Sequence, residues 1–431
     1  ALDKAVSGIR SVVDAQGPEA LGAWVSPQAT LEEMYLLQGI VRHLGSNNID
    51  HRTFQVDFRG QGYESSKPLL GTGIADIEQQ NSILVIGSNV RKEQPIIAHR
   101  IRKASLAGAT VNALNPRDFD LRLEMNQNIL ANPSAMVSEL ASIAAASGAT
   151  RSSVDHLIKS AAPGESHEAI AGSLKDADQG LILLGQLAIQ HPDYTILHEL
   201  AAAIAEAAGA IHSVLPAAGN TVGAWQAGIV PHRLPGGAEA DRAGKNISQM
   251  QSEPVAALIV HNLEPEHDFA DPQAALNAAN AADFCVVLSP YVGDHTKDYA
   301  DVILPVVPYT ETDGTFINME GLAQSFNAAV KNYAESAPAW KVYRVLGEQL
   351  GIETYKYEEL NEVTAEVLQI GQQQAAATPV DSRLEPELTS DSLLRSGEVS
   401  IYATDSLVRR AAALQDTSDG RNRRLVVINS Q

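Results

Sequence analysis

The sequence predicts an α/β protein built on parallel sheets that are covered by helices on both sides. Short, continuously apolar segments such as SILVIGSN (82–89), GLILLG (180–185) and VAALIVHN (255–262) alternate with helical segments of 12–16 residues. Strands that are apolar throughout are typical of parallel sheets buried between helices. Because parallel crossovers are right-handed, each such unit is expected to be doubly wound.

The first half of the chain contains an early strand and helix, followed by the elements of one predicted sheet. An early strand, AWVSP (23–27), precedes an amphipathic helix that begins at a capping box of Thr30 and Glu33 and ends at Gly45. After a polar loop come strands and helices in alternation. The predicted strands are 82–89, 110–116, 180–185 and 210–215, and the predicted helices are 93–107, 134–147, 152–162 and 193–208.

A second set of strands, at 255–262, 283–290 and 300–306, follows the loop-rich segment 216–252. The strand and helix at 20–45 have no sheet neighbours close in sequence, so we expect them to join this later set. The predicted organisation is a discontinuous α/β domain (1–50 plus 216–350), an inserted Rossmann-like α/β domain (51–215), and a linker or arm (351–431).

Composition limits the functions to consider. The chain has 31 basic and 52 acidic residues, a net charge of −21, and a mean hydropathy of −0.10. Nucleic-acid binding is disfavoured because a phosphate backbone needs clustered Lys and Arg, and docking on an anionic membrane surface is disfavoured for the same reason. No apolar run reaches the length of a membrane span. A single cysteine, Cys285, excludes an internal disulfide and favours a reducing compartment.

Four ordered blocks resemble the molybdopterin oxidoreductase superfamily. The most distinctive is YADVILPVVPYTETDGTFINMEG (299–321), and the others are LEEMYLLQGIVRHLGSNNIDHR (31–52), VIGSNVRKEQPIIAHRIRKASLAGATVNALNPR (85–117) and AAGNTVGAWQAGIVP (217–231). The resemblance implies two α/β domains of the type found in these enzymes, one inserted in the other, at the edge of a cofactor channel.

The segments GSNNIDHR, GSNVRKEQP and GNTVGAWQAG are similar in sequence to the large iron–sulfur subunit of respiratory complex I, the proton-pumping NADH:quinone oxidoreductase. This resemblance implies a scaffold that binds other peripheral-arm subunits, cytoplasmic and attached to the inner membrane only through them. It also implies iron–sulfur clusters in a preceding cysteine-rich part and a closing C-terminal barrel that begins near RRLVVINSQ (423–431). The assembly would transfer electrons from NADH to quinone, with no catalytic residue in this stretch.

The position of the metal ligand decides what the resemblance implies about cofactors. Related enzymes place a Cys, selenocysteine or Ser shortly after the Asn-Asn-x-Asp motif, and here that position falls on Val56. An isopropyl group has no lone pair for a metal. We therefore expect no metal ligand and no cofactor in this chain, with a bound molybdopterin as the less favoured alternative.

A vestigial nucleotide or pterin site is the remaining expectation. Gly87, Ser88 and Asn89 end a strand, and Asn115 and Arg117 stand where relatives carry an Asp-Pro-Arg motif. The resemblance adds Asn220 to this set. A glycine at a strand end also serves the tight turn of any such fold, so a purely architectural role competes with binding.

Two other functions stay open. One is a molybdopterin- or nucleotide-binding oxidoreductase whose metal ligand is misaligned, with an open, positively lined funnel around Arg52, Asn89, Arg117 and Asn220. The other is an independent α/β binding protein that has diverged from the superfamily. The polar loop at 261–268 carries two His and three acidic residues, but an exposed loop is favoured over a metal site because the spacing does not match HExxH.

Overall fold

The computed structural model describes residues 1–64, 68–370, 377–388, 397–398 and 400–422. The strands within these residues are β1 Leu21–Val25, β2 Ile49–Asp50, β3 Ser82–Ile86, β4 Thr110–Asn115, β5 Gln127–Leu130, β6 Gly180–Leu184, β7 Ile211–Val214, β8 Ala257–His261, β9 Phe284–Ser289, β10 Val302–Pro305, β11 Gly314–Ile317 and β12 Ala323–Phe326.

The α-helices of the same residues vary from one turn to four turns in length. They are α1 Leu2–Gln16, α2 Leu31–His43, α3 Val90–Glu93, α4 Pro95–Leu106, α5 Pro133–Ala146, α6 Asp155–Ser160, α7 Glu165–Lys175, α8 Gln186–Ile189, α9 Tyr194–Ala208, α10 Thr221–Ala227, α11 Ile247–Ser252, α12 Pro265–Asp268, α13 Pro272–Ala281, α14 Thr296–Tyr299, α15 Ala339–Gln349, α16 Leu360–Ile370, α17 Ser406–Arg410, α18 Ala412–Gln415 and α19 Ser418–Asn422.

Two five-stranded sheets, both wholly parallel, form the framework. The first has the strand order β10-β9-β8-β1-β2, so that the early strand β1 lies beside the late strand β8 with Leu21 opposite Ala257. The second has the order β5-β4-β3-β6-β7. In each sheet the strand order reverses once, between β1 and β8 and between β3 and β6. Ligands of open α/β sheets bind outside the carboxyl ends of the strands at such a reversal.

Each sheet is covered on both faces because side chains alternate along its strands. In β3, Leu84 and Ile86 face one apolar core while Ile83 and Val85 face the other. In β8 the same alternation sends Ile259 to one core and Val260 to the opposite one. The predicted α/β fold with parallel sheets is therefore confirmed, whereas the predicted domain boundaries stay a prediction.

Several elements predicted from local sequence signals are present in the structure. The capping box at the start of α2 is present, since Glu33 N donates to Thr30 Oγ1 and Thr30 N donates to the Glu33 carboxylate. The sequence analysis did not identify α1, α7, β2, β5 or the antiparallel hairpin of β11 and β12. The hairpin escaped because β12 is largely exposed and lacks an apolar run. Helix α1 contains Gly8, a weak helix former, which packs closely on the Phe284 ring.

The C-terminal arm lies across both sheets. Residues 377–388 pack on the second sheet, where Val380 and Leu384 are buried in its core and Leu384 N donates to Ser153 O. Residues 400–422 form the short helices α17, α18 and α19. The predicted terminal strand at 423–431, and with it the expected start of a barrel, lies outside the described residues.

None of the helices in the described ranges is long and apolar enough to cross a membrane.

Candidate functional site

A cavity of about 1010 Å³ lies between the two sheets. Its walls come from segments that follow the carboxyl ends of three strands: residues 54–59 after β2, 190–192 after β6, and 266–272 after β8. The arm closes another side with Glu387, Glu398 and Arg409. A space of this size fits an organic cofactor, and it stands where parallel sheets place their ligands.

The cavity wall combines aromatic rings with polar groups. Phe54, Phe58 and Phe269 supply the apolar surface. The charged lining residues are the acids Asp57, Glu266, Glu387 and Glu398 and the bases Arg59 and Arg409. The acids outnumber the bases by four to two, so this lining differs from the positively lined funnel of the alternative considered above.

Val56, the expected metal-ligand position, lines this cavity and is 38% exposed. Its neighbours are engaged elsewhere: Gln55 donates to Asp57 O, and Asp57 accepts from Thr195 N and from the Arg59 guanidinium. Burial opposes ionisation of Asp57, but the hydrogen bonds from Arg59 outweigh it and lower its pKa. In the described part of the chain no group of three or more His, Cys, Asp or Glu side chains could hold a metal ion.

The Asp-His-Arg segment after β2 forms a buried polar cluster behind Phe58. Arg52 binds Asp50 through two parallel hydrogen bonds, and its guanidinium lies 4.7 Å from the Phe58 ring centre. Burial would raise the pKa of Asp50, yet the charge of Arg52 lowers it overall. Burial lowers the pKa of His51 to about 4 and that of His232 to about 3, so both imidazoles are neutral at pH 7.

Five of the predicted nucleotide-site residues meet at the carboxyl ends of β3 and β4. Ser88 N donates to Asn115 Oδ1 over 2.8 Å, and Glu398 of the arm binds both Asn89 Nδ2 at 2.8 Å and Arg117 Nη2 at 2.7 Å. Gly87 completes the turn with a φ of +56°. A Cβ on Gly87 would lie 2.6 Å from the backbone nitrogen of Ala188, so glycine is required by close packing at the reversal between β3 and β6.

The backbone at the end of β3 is already paired. Glu93, which the sequence analysis did not single out, accepts from Asn89 N and Ser88 Oγ. Burial raises the pKa of Glu93. The groups at this edge that bind the C-terminal arm are side chains, namely Asn89, Lys92 and Arg117.

Asn220 lies apart from these five residues, in the unit of the first sheet. It is fully buried, donates to Ala29 O and accepts from Ile317 N, each over 2.8 Å. These bonds tie the start of α10 to the loop after β1 and to β11. In this position Asn220 connects three segments of the fold and does not contact the other predicted site residues.

The acidic loop after β8 is buried, contrary to the expectation of an exposed loop. Glu264 and Asp268 are 2% and 6% exposed, and both bind Arg409 of the arm. Arg410 adds a further ion pair to Glu264. No local pattern could have identified this contact, because the partners lie more than 140 positions apart and only charge type links them.

Glu266, in the same loop, is different. It lines the cavity, and both of its carboxylate oxygens are buried without a hydrogen-bond partner among the described residues. An unpaired buried carboxylate is costly, and such groups are normally satisfied by a ligand or water. Both oxygens are closed to solvent, so Glu266 would reach a ligand in the cavity only by turning its side chain.

Comparisons with known proteins agree with this architecture. A model of the molybdopterin oxidoreductase family matches residues 1–349. The F420-dependent formate dehydrogenase 1 subunit alpha of Methanococcus maripaludis is 25% identical over 87% of this chain and 64% of its own length. A putative formate dehydrogenase of Staphylococcus aureus is 26% identical over 86% of this chain and 43% of its own length. The chain thus spans about half to two thirds of these relatives.

Two solved structures share the fold at 15% identity. A chain of the formyltransferase/hydrolase complex of Methylorubrum extorquens superposes with a TM-score of 0.56 and covers 81% of this chain and 96% of its own length. Acetylene hydratase of Pelobacter acetylenicus gives a TM-score of 0.54 over 88% of this chain and 63% of its own length. At this identity the likeness concerns the fold alone.

These findings correct several predictions. The assignment to a complex I subunit is wrong, and with it the scaffold role and the proton-pumping NADH:quinone reaction, because the matching family is molybdopterin oxidoreductase and the relatives are a formate dehydrogenase subunit and a putative formate dehydrogenase. The expectation that the chain holds no molybdopterin is also contradicted by this family. The physical reason for the wrong subunit assignment is that the matched blocks contain residues such as Gly87 and Asn220. These residues build tight turns and buried hydrogen bonds of the fold.

Proposed function

Because the chain belongs to the molybdopterin oxidoreductase family, we propose that it is the α/β part of a molybdopterin-dependent oxidoreductase and holds the cofactor in the cavity between its two sheets. The observation that carries this proposal is the position of the cavity, at the carboxyl ends of β2, β6 and β8 and beside Val56. Oxidoreductase activity of the whole protein is part of the proposal, since the chain covers only part of its relatives.

The polar groups of the cavity wall fit a pterin. The amino-pyrimidinone edge of a pterin presents N–H groups side by side, and a carboxylate accepts such a pair in two-point, charge-assisted hydrogen bonds. Glu266 lines the cavity, and a turn of its side chain would bring its unpaired carboxylate to the ring. Ser248 and Gln249, on α11, line the cavity as well and offer hydrogen-bonding groups of both kinds.

The aromatic side chains would enclose the ring. Phe54, Phe58 and Phe269 present flat apolar surface to the cavity, which suits a planar ring and excludes water around it. Phe269 is itself held by a ring contact with Trp24, with centroids 5.0 Å apart. Behind Phe58, the Arg52–Asp50 pair fixes the wall from which Val56 projects.

When bound, the molybdenum cofactor supplies two-electron oxidation or reduction of a small molecule. At Val56 this chain offers the metal no donor atom, so the residues named here would hold the cofactor through its organic part. Formate is the first substrate to test, because the names of the relatives carry that activity. Its oxidation gives CO₂, a proton and two electrons, and a viologen dye would accept the electrons in the assay.

The test is the cofactor content of the 431-residue chain produced in a host that makes molybdopterin. Pterin is measured by the fluorescence of its oxidised form after acid release, and molybdenum by mass spectrometry. We expect pterin to co-purify with the wild-type chain and the amount to fall at least fivefold in Glu266→Gln. Glu335→Gln, an exposed site with the same chemical change, is the matched control and is expected to keep the wild-type content.

A wild-type chain without pterin, when an established pterin enzyme from the same host is loaded, contradicts the proposal. Formate-dependent dye reduction is a second readout, to be measured only on chains whose pterin content is known.

Partner proteins and the absence of nucleic-acid binding stay predictions. The acidic charge of −21 supports the second of these. A mobility-shift experiment with double-stranded DNA at low salt is expected to show no complex.

A further inference from the structure

Residues 397–422, of which 399 is not described, form a strap that joins the two sheets at the mouth of the cavity. Gly397, Glu398, Ser400, Ala403 and Arg409 of the strap all line the cavity. The strap is therefore one wall of the space in which we propose that the cofactor is held.

The middle of the strap is anchored in the unit of the first sheet. The side chain of Arg409 is 4% exposed and binds both Glu264 and Asp268, with N–O distances of 2.6–3.0 Å. Arg410 pairs with Glu264 and lies over the Tyr291 ring at 4.7 Å. Buried two-point ion pairs of this kind are expensive to break one partner at a time, so the middle of the strap is the fixed part.

Both termini of the strap rest on the unit of the second sheet through exposed or half-buried charges. Glu398 binds Asn89 and Arg117, and Asp419 binds Lys92 over 2.6 Å. The side chain of Arg117 is 62% exposed. Partly exposed ion pairs contribute little to stability and are screened by salt, so both termini can detach while the anchor stays.

The strap has almost no core of its own. Its longest helices have five residues, and none of its apolar side chains among the described residues is fully buried. Internal order comes from hydrogen bonds, such as those by which Asp405 caps α17 and Gln415 binds Tyr402 O and Val408 O. Segments with few buried apolar contacts open at low free-energy cost.

We propose that the strap is a releasable lid: Glu398 and Asp419 occupy Asn89, Lys92 and Arg117 when the cavity is closed, and a pyrophosphate-bearing ligand displaces them and opens the lid about the Arg409 anchor. The two strap carboxylates act as an internal substitute for the anion. That the open lid admits the cofactor rests on the proposed function. The displacement of Glu398 and Asp419 concerns only the residues of this chain.

Charge complementarity supports one occupant over others. The edge formed by Asn89, Lys92 and Arg117 carries two positive charges and an amide donor, and it already holds two carboxylates. An anion with two linked charged groups can replace both carboxylates at once. A ligand with a single negative charge could not replace both carboxylates, and a cation would be repelled by the two positive charges.

The test measures hydrogen–deuterium exchange of strap peptides, with inorganic pyrophosphate as the probe and no pterin present. Saturating pyrophosphate is expected to raise exchange in 400–422 at least threefold in the wild-type chain, with protection gained near Asn89 and Arg117. The double variant Glu398→Gln/Asp419→Asn is expected to show the raised exchange without ligand and to bind pyrophosphate about tenfold more tightly, because no internal carboxylate competes.

Asp416→Asn is the matched control, an exposed strap carboxylate that forms no ion pair with another described residue. It is expected to behave as wild type in both measurements. The lid is refuted if pyrophosphate leaves strap exchange unchanged, or if the double variant binds it no more tightly than Asp416→Asn does. Because pterin content is measured separately, a chain that opens with pyrophosphate but carries no pterin would refute the proposed function and leave the lid intact.

Discussion

Arg52 holds Asp50 through two parallel hydrogen bonds, Nε to Oδ1 and Nη2 to Oδ2, each 2.9 Å long. Asp50 also accepts from the backbone amides of His51 and Ile247, and it is fully buried. The pair thereby joins the end of β2, the segment that carries Val56, and the start of α11 on the cavity wall.

Removing the charge of Asp50 is expected to destabilise the fold strongly. Asp50→Asn leaves the buried Arg52 guanidinium with only Glu64, 3.6 Å away, as a counter-ion, and we expect a loss of about 3–5 kcal/mol of the free energy of unfolding. Urea unfolding followed by circular dichroism measures the loss. Asp298→Asn, at an exposed carboxylate, is expected to stay within about 0.5 kcal/mol of wild type, and equal effects of the two variants would contradict the role given to the pair.

Lowering the pH is expected to destabilise the protein at pH values well above those at which carboxylates become protonated. His51 and His232 have pKa values of about 4 and 3 when folded, against 6.5 for an ordinary histidine, chiefly because they are buried. Below pH 6.5 the unfolded chain therefore binds protons that the folded chain does not. Each histidine then lowers the free energy of unfolding by about 1.4 kcal/mol per pH unit, down to its folded pKa.

Urea midpoints at pH 7.0, 6.0 and 5.0 measure this slope. His232→Gln is expected to reduce it, whereas His295→Gln, at a half-exposed ring, is expected to leave it unchanged. A stability that is flat between pH 7 and pH 5 would show that these imidazoles are protonated in the folded state.

The turn after β3 is expected to tolerate no side chain. Gly87→Ala places a Cβ 2.6 Å from Ala188 N at a φ of +56°, so the loss of stability should reach about 2 kcal/mol or more. Gly172 provides the opposite case, because a Cβ there meets nothing within 4 Å inside α7. Gly172→Ala is expected to stabilise by about 0.5–1 kcal/mol, and thermal unfolding distinguishes the two outcomes.

The anchor of the strap is expected to behave as a coupled set of charges. Arg409→Met leaves the buried acids Glu264 and Asp268 with less positive charge and should cost about 3–5 kcal/mol. Adding Glu264→Gln and Asp268→Asn to that variant removes the uncompensated charges and is expected to recover a large part of the loss. If the triple variant is no more stable than Arg409→Met, charge is not what the anchor contributes.

The alternation of apolar strands and helices was sufficient to predict the α/β fold and its parallel sheets, because strands buried on both faces have a local signature. Helix starts such as Thr30 with Glu33 were equally readable, since a capping box involves residues three positions apart. The family resemblance was also present in the sequence. Its finer assignment to a complex I subunit was wrong, because residues such as Gly87 and Asn220 serve a tight turn and buried hydrogen bonds of the fold and do not specify one activity.

The tertiary structure alone decided which groups meet. Asn220 was predicted to join Asn89 and Arg117 but lies in the unit of the other sheet, and Glu264 was predicted to be exposed but is buried under Arg409. The cavity, the unpaired Glu266 and the strap arise from segments that are distant in sequence. Secondary structure depends on side-chain patterns within a few residues, whereas an ion pair or a cavity depends on how whole sheets pack, and that information is spread over the entire chain.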